Sequence, residues 1–336
     1  MILLTGAAGF IGFHTIQALL ARGETVIGID NLNDYYDPAL KQARLKQLEG
    51  RNGFTFYKAD ISDSQKMNEI ISRHGEIDRI IHLAAQAGVR YSLENPGSYV
   101  RSNLDGQVVM LELARTLQEQ GKLKHFVYAS SSSVYGGNTK QPFSISDPVE
   151  QPVSLYAATK RSGELLTQSY SHLFRIPATG LRFFTVYGPW GRPDMAYYSF
   201  TKDVLEGTPI NVFNHGDMRR DFTWIDDIVK GILGAMGAIP KDGDPHTIGG
   251  APHRVFNLGN HQSESLMDFI AVIEKAVGME TEKIMQPMAM GDVKETYADI
   301  DASREVFGYE PTTPISEGIP VFVDWYKNWV ASTIGQ

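Results

Sequence analysis

Tyr156, Lys160 and a run of serines are the residues whose types and spacing best suit chemistry. Tyr156 and Lys160 are four positions apart, which places both side chains on one face of a helix. A nearby ammonium group, like a cationic nicotinamide ring, lowers a tyrosine pKa from about 10 towards working pH. Ser130–Ser133 ends a predicted strand, where a hydroxyl can hold the substrate oxygen that Tyr156 deprotonates. Together these residues predict acid–base chemistry at a hydroxyl group.

A glycine-rich loop near the N-terminus predicts a dinucleotide site. Residues 5–12 read Thr-Gly-Ala-Ala-Gly-Phe-Ile-Gly, between a predicted strand and a predicted helix. Glycines at these spacings allow a tight turn and close approach of the backbone to a pyrophosphate, whose charge then lies at a helix N-terminus. The residues expected to contact the cofactor here are Gly6, Gly9, Phe10, Ile11 and Gly12.

Asp30 ends the second predicted strand, where a carboxylate would bind the ribose hydroxyls of NAD. A carboxylate repels a 2′-phosphate and no arginine follows it directly, so we expect NAD rather than NADP. Asn31 is expected beside it at the cofactor. Asp60 and Ile61 end the third strand and are expected at the edge of the adenine, with a turn cap as the alternative role for Asp60.

Composition excludes several classes of protein. The 336 residues carry a net charge of −8, which argues against a broad nucleic-acid surface. The chain has no cysteine, so disulfides, thiolate catalysis and cysteine-ligated zinc are excluded, and we expect no metal. No signal peptide is evident and no apolar run reaches the roughly 20 residues that span a bilayer. We expect a soluble cytoplasmic protein with no membrane partner.

The chemical residues fall between short apolar runs that alternate with helical segments. This alternation predicts an α/β fold with a Rossmann-type, doubly wound parallel sheet. The predicted strands are Ile2–Thr5, Thr25–Asp30, Phe54–Asp60, Arg79–Ala85, His125–Ser130 and Ala178–Phe184. The predicted helices between them are Gly12–Arg22, Ser64–His74 and Gly106–Gln120.

The second half of the chain is less regular and richer in glycine and proline. We expect residues 1–180 to form the NAD-binding domain and residues 181–336 mainly a smaller C-terminal α/β domain for the substrate. Segments within 221–260, notably Trp224–Met236 and Val255–Leu258, are expected to return to the sheet.

In combination these motifs resemble the extended short-chain dehydrogenases/reductases, Rossmann proteins that modify nucleotide-linked sugars. The resemblance rests on the glycine loop, Ser131, Tyr156 and Lys160 and covers nearly the whole chain. Further matching segments are 82–85, 133–136, 187–189, 220–222 and 257–259. It implies that Ser131, Tyr156 and Lys160 are catalytic, that Asn103 supports the active site beside the cofactor, and that Leu83, Ala84 and Ala85 line the cofactor.

Three activities compete within this family: 4-epimerisation, 4,6-dehydration and decarboxylation of a uronate. The dehydratases carry an Asp-Glu pair after the catalytic hydroxyl residue and the decarboxylases keep a glutamate at the second position, whereas this chain has Ser132 and Ser133. Without an acid–base group there, dehydration has no proton shuttle. We therefore expect a 4-epimerase, which returns the same hydride to the other face of a rotated 4-keto sugar.

Two segments, 33–37 and 182–194, resemble the UDP-glucuronate 4-epimerases. UDP-glucose 4-epimerases usually have asparagine where Thr185 stands. We expect Ser132, Ser133 and Thr185 to hydrogen-bond a C6 carboxylate and Arg192 to neutralise it, with a surface-loop arginine and a satisfied strand-end hydroxyl as the plainer alternatives for Arg192 and Thr185.

The resemblance also places the UDP group. Arg220 matches a diphosphate-binding arginine, whose fork suits phosphate, and Arg90 is a weaker match for the same role. Asp292 matches a residue that binds a ribose, although Thr296 stands where relatives often have tyrosine. Val212 and Phe213 are expected at the uracil, where Phe213 could stack or could belong to the core.

The resulting hypothesis is the NAD-dependent conversion of UDP-glucuronate to UDP-galacturonate through a transient 4-keto sugar, by a homodimer. The alternatives are a 4-epimerase of UDP-glucose or its N-acetyl form, a UDP-uronate decarboxylase, and, from another class, a non-catalytic dinucleotide sensor on the same fold. A sensor has no use for Ser131, Tyr156 and Lys160 together.

Overall fold

The structure is a computed structural model that describes residues 1–289 and 292–334. Its strands are β1 Ile2–Thr5, β2 Val26–Asp30, β3 Phe54–Lys58, β4 Arg79–His82, β5 His125–Ser131, β6 Ala178–Phe183, β7 Thr185–Tyr187, β8 Ile210–Val212, β9 Arg219–Arg220, β10 Phe222–Trp224, β11 His253–Leu258, β12 Glu264–Ser265 and β13 Lys283–Met285. Its α-helices are α1 Phe10–Ala21, α2 Pro38–Leu48, α3 Ser64–Arg73, α4 Tyr91–Glu94, α5 Pro96–Val100, α6 Gly106–Glu119, α7 Leu155–Phe174, α8 Ala196–Glu206, α9 Ile225–Gly237, α10 Leu266–Val277, α11 Asp301–Phe307 and α12 Ile315–Ile334.

Seven of the strands form one parallel sheet in the order β11-β6-β5-β4-β1-β2-β3. Strands β1, β2, β6 and β11 are buried along their whole length, because helices cover both faces of the sheet. The strand order reverses beside β1, whose neighbours are β2 and β4. In such sheets ligands bind at the carboxyl ends of the strands next to this reversal. The predicted doubly wound α/β fold is confirmed.

The predicted strands are all present, with small differences at their ends. The largest difference is in β4, which was expected to reach Ala85 but ends at His82. There the hydroxyl of Thr5 accepts the backbone N–H of Ala84 over 3.2 Å. The chain then leaves the sheet and forms part of a cleft wall.

Two later segments return to the sheet region. Strand β11 pairs in parallel with β6 over the full length of both strands, which agrees with the expectation for Val255–Leu258. The segment Trp224–Met236 returns as helix α9 rather than as a strand, and α9 packs against α1. Its apolar positions recur at helical spacing and are buried, and Asp226 and Asp227 lie in its first turn, where carboxylates favour a helix N-terminus.

Beyond β6, three two-stranded sheets and the helices α8, α10 and α12 form the smaller part of the molecule. Strand β7 pairs with β10, β8 with β13 and β9 with β12. Ring contacts of Tyr197 with Phe322 and of Tyr198 with Trp325 join α8 to α12. Among the described residues, no helix combines the length and the apolar character needed to cross a bilayer.

Candidate active site

A cleft of about 960 Å³ lies at the carboxyl edge of the seven-stranded sheet. Its walls come from the loops that follow β1, β2, β4 and β5, from the first turns of α7, and from the smaller part of the molecule. The residues expected from the sequence that line this cleft are Gly6, Gly9, Phe10, Ile11, Gly12, Asp30, Asn31, Ile61, Leu83, Ala84, Ala85, Arg90, Ser131, Ser132, Ser133, Tyr156, Lys160, Thr185, Arg192, Phe213, Arg220 and Asp292.

Asp60, Asn103 and Val212 lie behind this wall and do not line the cleft. Asp60 accepts a hydrogen bond of 3.0 Å from the Asn31 side-chain amide, so it holds a lining residue in place. Although burial alone would raise its pKa, hydrogen bonds from Ser62 and Asn31 hold the pKa of Asp60 below the ordinary value. Val212 is fully buried, because it ends β8, whose side chains alternate between a buried and an exposed face.

Asn103 braces the cleft from inside the protein. Its side-chain oxygen accepts the backbone N–H of Gln86 over 2.8 Å, and its amide donates to the carbonyl of Gln86 and to the hydroxyl of Thr159, both over 3.0 Å. It therefore ties the loop after β4 to α7, the helix that carries Tyr156. This geometry is what a supporting role for Asn103 requires, and its place beside the cofactor stays a prediction.

The glycine loop has the shape of a cradle for a pyrophosphate. A Cβ at Gly12 would lie 2.0 Å from the carbonyl oxygen of Gly6, so only glycine permits this turn. Helix α1 starts at Phe10 and has no acidic residue in its first turn. Its first N–H groups lack intrahelical partners and can bind an anion at the positive end of the helix. A dinucleotide therefore fits this loop.

Asp30 lies at the end of β2, beside the glycine loop. Its carboxylate accepts the backbone N–H of Ala8 over 3.1 Å and of Leu32 over 2.8 Å. These bonds fix the side chain at the cleft wall. A carboxylate with lone pairs left over suits ribose hydroxyls and disfavours a phosphate at the same position.

Ser131, Tyr156 and Lys160 all line the cleft, and Ser131 hydrogen-bonds the Tyr156 side chain. Ser131 ends β5, and its hydroxyl accepts the backbone N–H of Ser133 over 3.2 Å. Lys160 is buried and its ammonium donates to the carbonyl of Ala129 over 2.9 Å. The fourth serine has a different role, since Ser130 donates its hydroxyl proton to the buried carboxylate of Glu164 over 2.7 Å.

Burial dominates the electrostatics of these groups. It raises the pKa of Tyr156, while hydrogen bonding to Ser131 and the guanidinium of Arg192 lower it. Burial also lowers the pKa of Lys160 to about 8. The expectation of a lowered Tyr156 pKa is therefore wrong for the chain's own groups, because desolvation of the phenolate outweighs the nearby donors.

Arg192 reaches the cleft from the loop between β7 and α8 and influences Tyr156 electrostatically. Its guanidinium is not free: Nε and Nη2 both donate to the carboxylate of Asp194, at 3.0 and 2.5 Å. The hydroxyl of Tyr35 also donates to Asp194 over 3.0 Å. The sequence predicted the arginine at this place but not the carboxylate that pairs with it.

Four of the five residues expected at the UDP group also come together, all except Val212. Arg220 donates to Asp292 over 2.8 Å, and Arg90 approaches the other oxygen of that carboxylate at 4.0 Å. The guanidinium of Arg90 lies 4.4 Å from the centre of the Phe213 ring. They thus bring two cations, a carboxylate and an aromatic face to one end of the cleft.

The side chains of this cleft that sequence reasoning missed include Tyr35, Lys41 and Asp194. Lys41 is buried and donates to the carbonyl and side-chain oxygens of Asn33, at 2.8 and 2.6 Å. Tyr35 and Asp194 belong to segments that carried the resemblance, so that resemblance was the available signal. The contact between them joins residues 159 positions apart, and no local pattern predicts such a contact.

Known proteins resemble this chain over its whole length. UDP-glucuronate 4-epimerase 4 of Arabidopsis thaliana is 48% identical over 98% of this chain and 75% of its own. The crystal structure of UDP-glucuronic acid 4-epimerase from Bacillus cereus, in complex with UDP-glucuronic acid and NAD, has a TM-score of 0.87 and 35% identity, with 98% of this chain and 99% of that chain covered. The crystal structure of UDP-glucose 4-epimerase from Thermotoga maritima, with UDP-glucose, has a TM-score of 0.84 and 29% identity. The match covers 98% of this chain and 99% of that chain.

A family model gives the same result. The model of the NAD dependent epimerase/dehydratase family matches residues 2–259. This range contains the glycine loop, Asp30 and the cluster of Ser131, Tyr156 and Lys160. The chain belongs to the NAD dependent epimerase/dehydratase family.

Proposed function

We propose that this protein is a UDP-glucuronate 4-epimerase that forms UDP-galacturonate through a 4-keto sugar. One observation carries the proposal: a cationic arginine, Arg192, lies within electrostatic reach of Tyr156 in a cleft lined by four consecutive serines. Such a site offers hydroxyl donors and a cation beside the reacting carbon. Relatives and solved structures with the same activity support it.

The dinucleotide fits the wall formed by the first three strands. The N–H groups at the start of α1 would hold its pyrophosphate, Asp30 its adenosine ribose and Lys160 its nicotinamide ribose. Bound NAD supplies a hydride acceptor that returns the same hydride, so the cofactor is regenerated in each turnover. We therefore expect it to stay bound.

Tyr156 moves the proton. As a phenolate it takes the proton of the C4 hydroxyl group, and Ser131 orients that hydroxyl by hydrogen bonding. Tyr156 returns the proton after the 4-keto sugar has rotated to present its other face. Because burial opposes the phenolate, the charge of Arg192 and the hydrogen bond from Ser131 are needed to stabilise it. The positive charge of the oxidised nicotinamide acts in the same direction.

The C6 carboxylate must be retained. A 4-keto uronate is a β-keto acid, which loses CO₂ when the bond to its carboxylate aligns with the ketone π system. Hydroxyls of Ser132, Ser133 and Thr185 would hold this bond out of alignment. Arg192 keeps Nη1 for the substrate while Nε and Nη2 bind Asp194, and charge-assisted hydrogen bonds are worth about 1.5–3 kcal/mol each.

The nucleotide would lie at the other end of the cleft. Arg220 and Arg90 are placed to neutralise the diphosphate, Asp292 to accept a ribose hydroxyl and Phe213 to stack on uracil. Because Asp292 already binds Arg220, a ribose would share this carboxylate with the arginine.

We also propose that different parts of the chain bind the cofactor and the substrate, and that the protein is a homodimer. Residues 1–180, with 221–260, would bind NAD, and the remainder of 181–336 would bind the UDP-sugar.

Exposed apolar side chains on α5 and α7 support the dimer: Val100, Leu165 and Leu173 are 43%, 54% and 64% exposed. Leu165 and Leu173 lie eight positions apart and share one face of α7. Sedimentation of Leu165→Glu against wild type tests this interface.

The second candidate is epimerisation of a neutral UDP-hexose, which is favoured by the Asp194 carboxylate beside Arg192. The experiment is to measure kcat/KM for UDP-glucuronate and UDP-glucose with wild type and with Arg192→Met. We expect wild type to prefer UDP-glucuronate and the variant to lose at least tenfold on UDP-glucuronate alone.

Arg219→Met, which alters an exposed arginine beside the cleft-lining Arg220, is the matched control and should leave the ratio unchanged. A wild-type preference for UDP-glucose would favour the second candidate. Equal losses on both sugars in Arg192→Met would contradict a carboxylate role for Arg192.

A further inference from the structure

Arg44 of helix α2 is fully buried, which is unusual for an arginine. Its Nη1 donates to the carbonyl of Ala8 over 2.8 Å and to the hydroxyl of Tyr36 over 2.7 Å. Its Nε and Nη2 donate to the carbonyl of Trp190, at 3.1 and 2.6 Å, and Nη2 also reaches the carbonyl of Gly191 at 3.3 Å.

The partners of Arg44 differ from those of Arg182 in carrying no charge; Arg254, which is also buried, likewise donates to a backbone carbonyl. Arg182, which is also buried, binds the carboxylate of Glu164 through two nitrogens, at 2.8 and 2.9 Å. Within residues 1–289 and 292–334, no carboxylate forms an ion pair with Arg44. Burying a cation without a counter-ion is costly, so the hydrogen bonds of Arg44 to neutral oxygens must offset that cost, and they fix the segments that they join.

Arg44 connects two loops that serve different ligands. Ala8 belongs to the glycine loop, and Trp190 and Gly191 directly precede Arg192. The fork of one side chain therefore spans the loop for the dinucleotide and the loop that carries Arg192.

The loop before Arg192 needs such support. Trp190 has φ +63°, in the left-handed region that a tryptophan rarely adopts. At Gly191 an added Cβ would lie 2.0 Å from the hydroxyl oxygen of Tyr197, and that hydroxyl accepts the backbone N–H of Arg192 over 3.1 Å. The carbonyls of both residues point to Arg44, so its hydrogen bonds hold the strained turn.

We propose that Arg44 is a positioning residue for substrate specificity: it fixes the Trp190–Gly191 turn to the glycine loop and so places Arg192 against the charged group of the sugar. This inference rests on the proposed function. Arg44 itself touches neither sugar nor reacting atoms. Its removal should therefore affect the charged substrate more than a neutral one.

The test uses the NAD-loaded protein with Arg44→Met and Arg44→Lys. A lysine keeps the charge but has one nitrogen and no planar fork, so it cannot reproduce the set of hydrogen bonds that Arg44 makes. We expect the ratio of kcat/KM for UDP-glucuronate over UDP-glucose to fall tenfold or more in both variants, mainly through KM for UDP-glucuronate. Hydrogen exchange should become faster at the amides of residues 190–194.

Arg79→Met is the matched control, because Arg79 binds Glu24 through two nitrogens at the opposite end of the sheet, both at 2.9 Å. It should lower stability without changing the substrate ratio or exchange at 190–194. Equal loss on both sugars in the Arg44 variants, with wild-type exchange in this loop, would overturn the proposal.

Two further outcomes are separated by design. If neither Arg44 variant folds, Tyr36→Phe serves as the test, because it removes one acceptor of the Arg44 guanidinium. It should lower the ratio of kcat/KM for UDP-glucuronate over UDP-glucose by a smaller factor. An unchanged ratio would count against the proposal. If wild type does not turn over UDP-glucuronate, the proposed function is wrong. Hydrogen exchange at 190–194 then still decides whether Arg44 positions the loop.

Discussion

Tyr156 is held between opposing electrostatic effects. Burial favours its neutral phenol, whereas Ser131 and Arg192 favour the phenolate. The phenolate therefore takes a proton readily, and the phenol that results can return it to the keto sugar. Such a balance suits a group that must accept and return one proton in each turnover.

The change Tyr156→Phe tests this role. We expect kcat to fall by about 10²–10⁴-fold, the usual loss for one general acid–base group, while NAD content and UDP-sugar binding persist. Tyr170→Phe is the control, since Tyr170 lies on the same helix and donates to Glu112 outside the cleft. More than a tenth of wild-type kcat in Tyr156→Phe would show that another group is the base.

At this scale the sequence was informative about single residues and uninformative about their partners. The spacing of Tyr156 and Lys160 and the serines after β5 predicted the cluster, because each depends on local structure. The pairing of Arg192 with Asp194 and the contact of Asp194 with Tyr35 depend on how loops from distant parts of the chain meet. The lining of a cleft by such loops is decided by tertiary packing.

The glycine loop and α1 form the element on which cofactor binding depends. In Gly12→Ala the added methyl would lie 2.0 Å from the carbonyl oxygen of Gly6, so the turn must open and the N–H groups at the start of α1 must move. We expect purified Gly12→Ala to carry less than a tenth of the wild-type NAD.

The measurement is the absorbance of released cofactor per mole of protein. Gly121→Ala is a control at a glycine whose Cβ would meet nothing within 4 Å, although its φ of +67° predicts a modest loss of stability. Wild-type NAD content in Gly12→Ala would show that the loop does not hold the pyrophosphate.

The strands and helices of the first half were predictable because their apolar runs repeat a simple alternation. The strands and helices of the second half of the chain were less predictable. The segment 224–236 returns as a helix, and β7 to β10 are only two or three residues long. Pairing partners that are distant in sequence define such short strands, and local periodicity gives no signal for them.

At the scale of the whole molecule, buried neutral histidines make stability depend on pH. Burial lowers the pKa of His82 to about 3 and those of His125 and His253 to about 4. In the unfolded chain these groups titrate near 6.5. Between these values the unfolded chain binds more protons, so stability is complete above about pH 6.5 and is lost as the pH falls towards 4.

Each histidine contributes a slope of up to about 1.4 kcal/mol per pH unit. Urea unfolding at pH 7.5, 6 and 5 measures the total slope, which His253→Gln should reduce by about one third of the contribution of these three histidines. His172→Gln, at an exposed position, should leave it unchanged. A free energy of unfolding that is constant from pH 7.5 to 5 would contradict this account.

The most direct test of the central claim is the identity of the product formed from UDP-glucuronate by the purified protein without added NAD. Mass spectrometry and NMR after long incubation should find UDP-galacturonate in equilibrium with the substrate, with the carboxylate retained. Accumulation of a UDP-4-keto-pentose or UDP-xylose at a comparable rate, or faster conversion of UDP-glucose than of UDP-glucuronate, would contradict it.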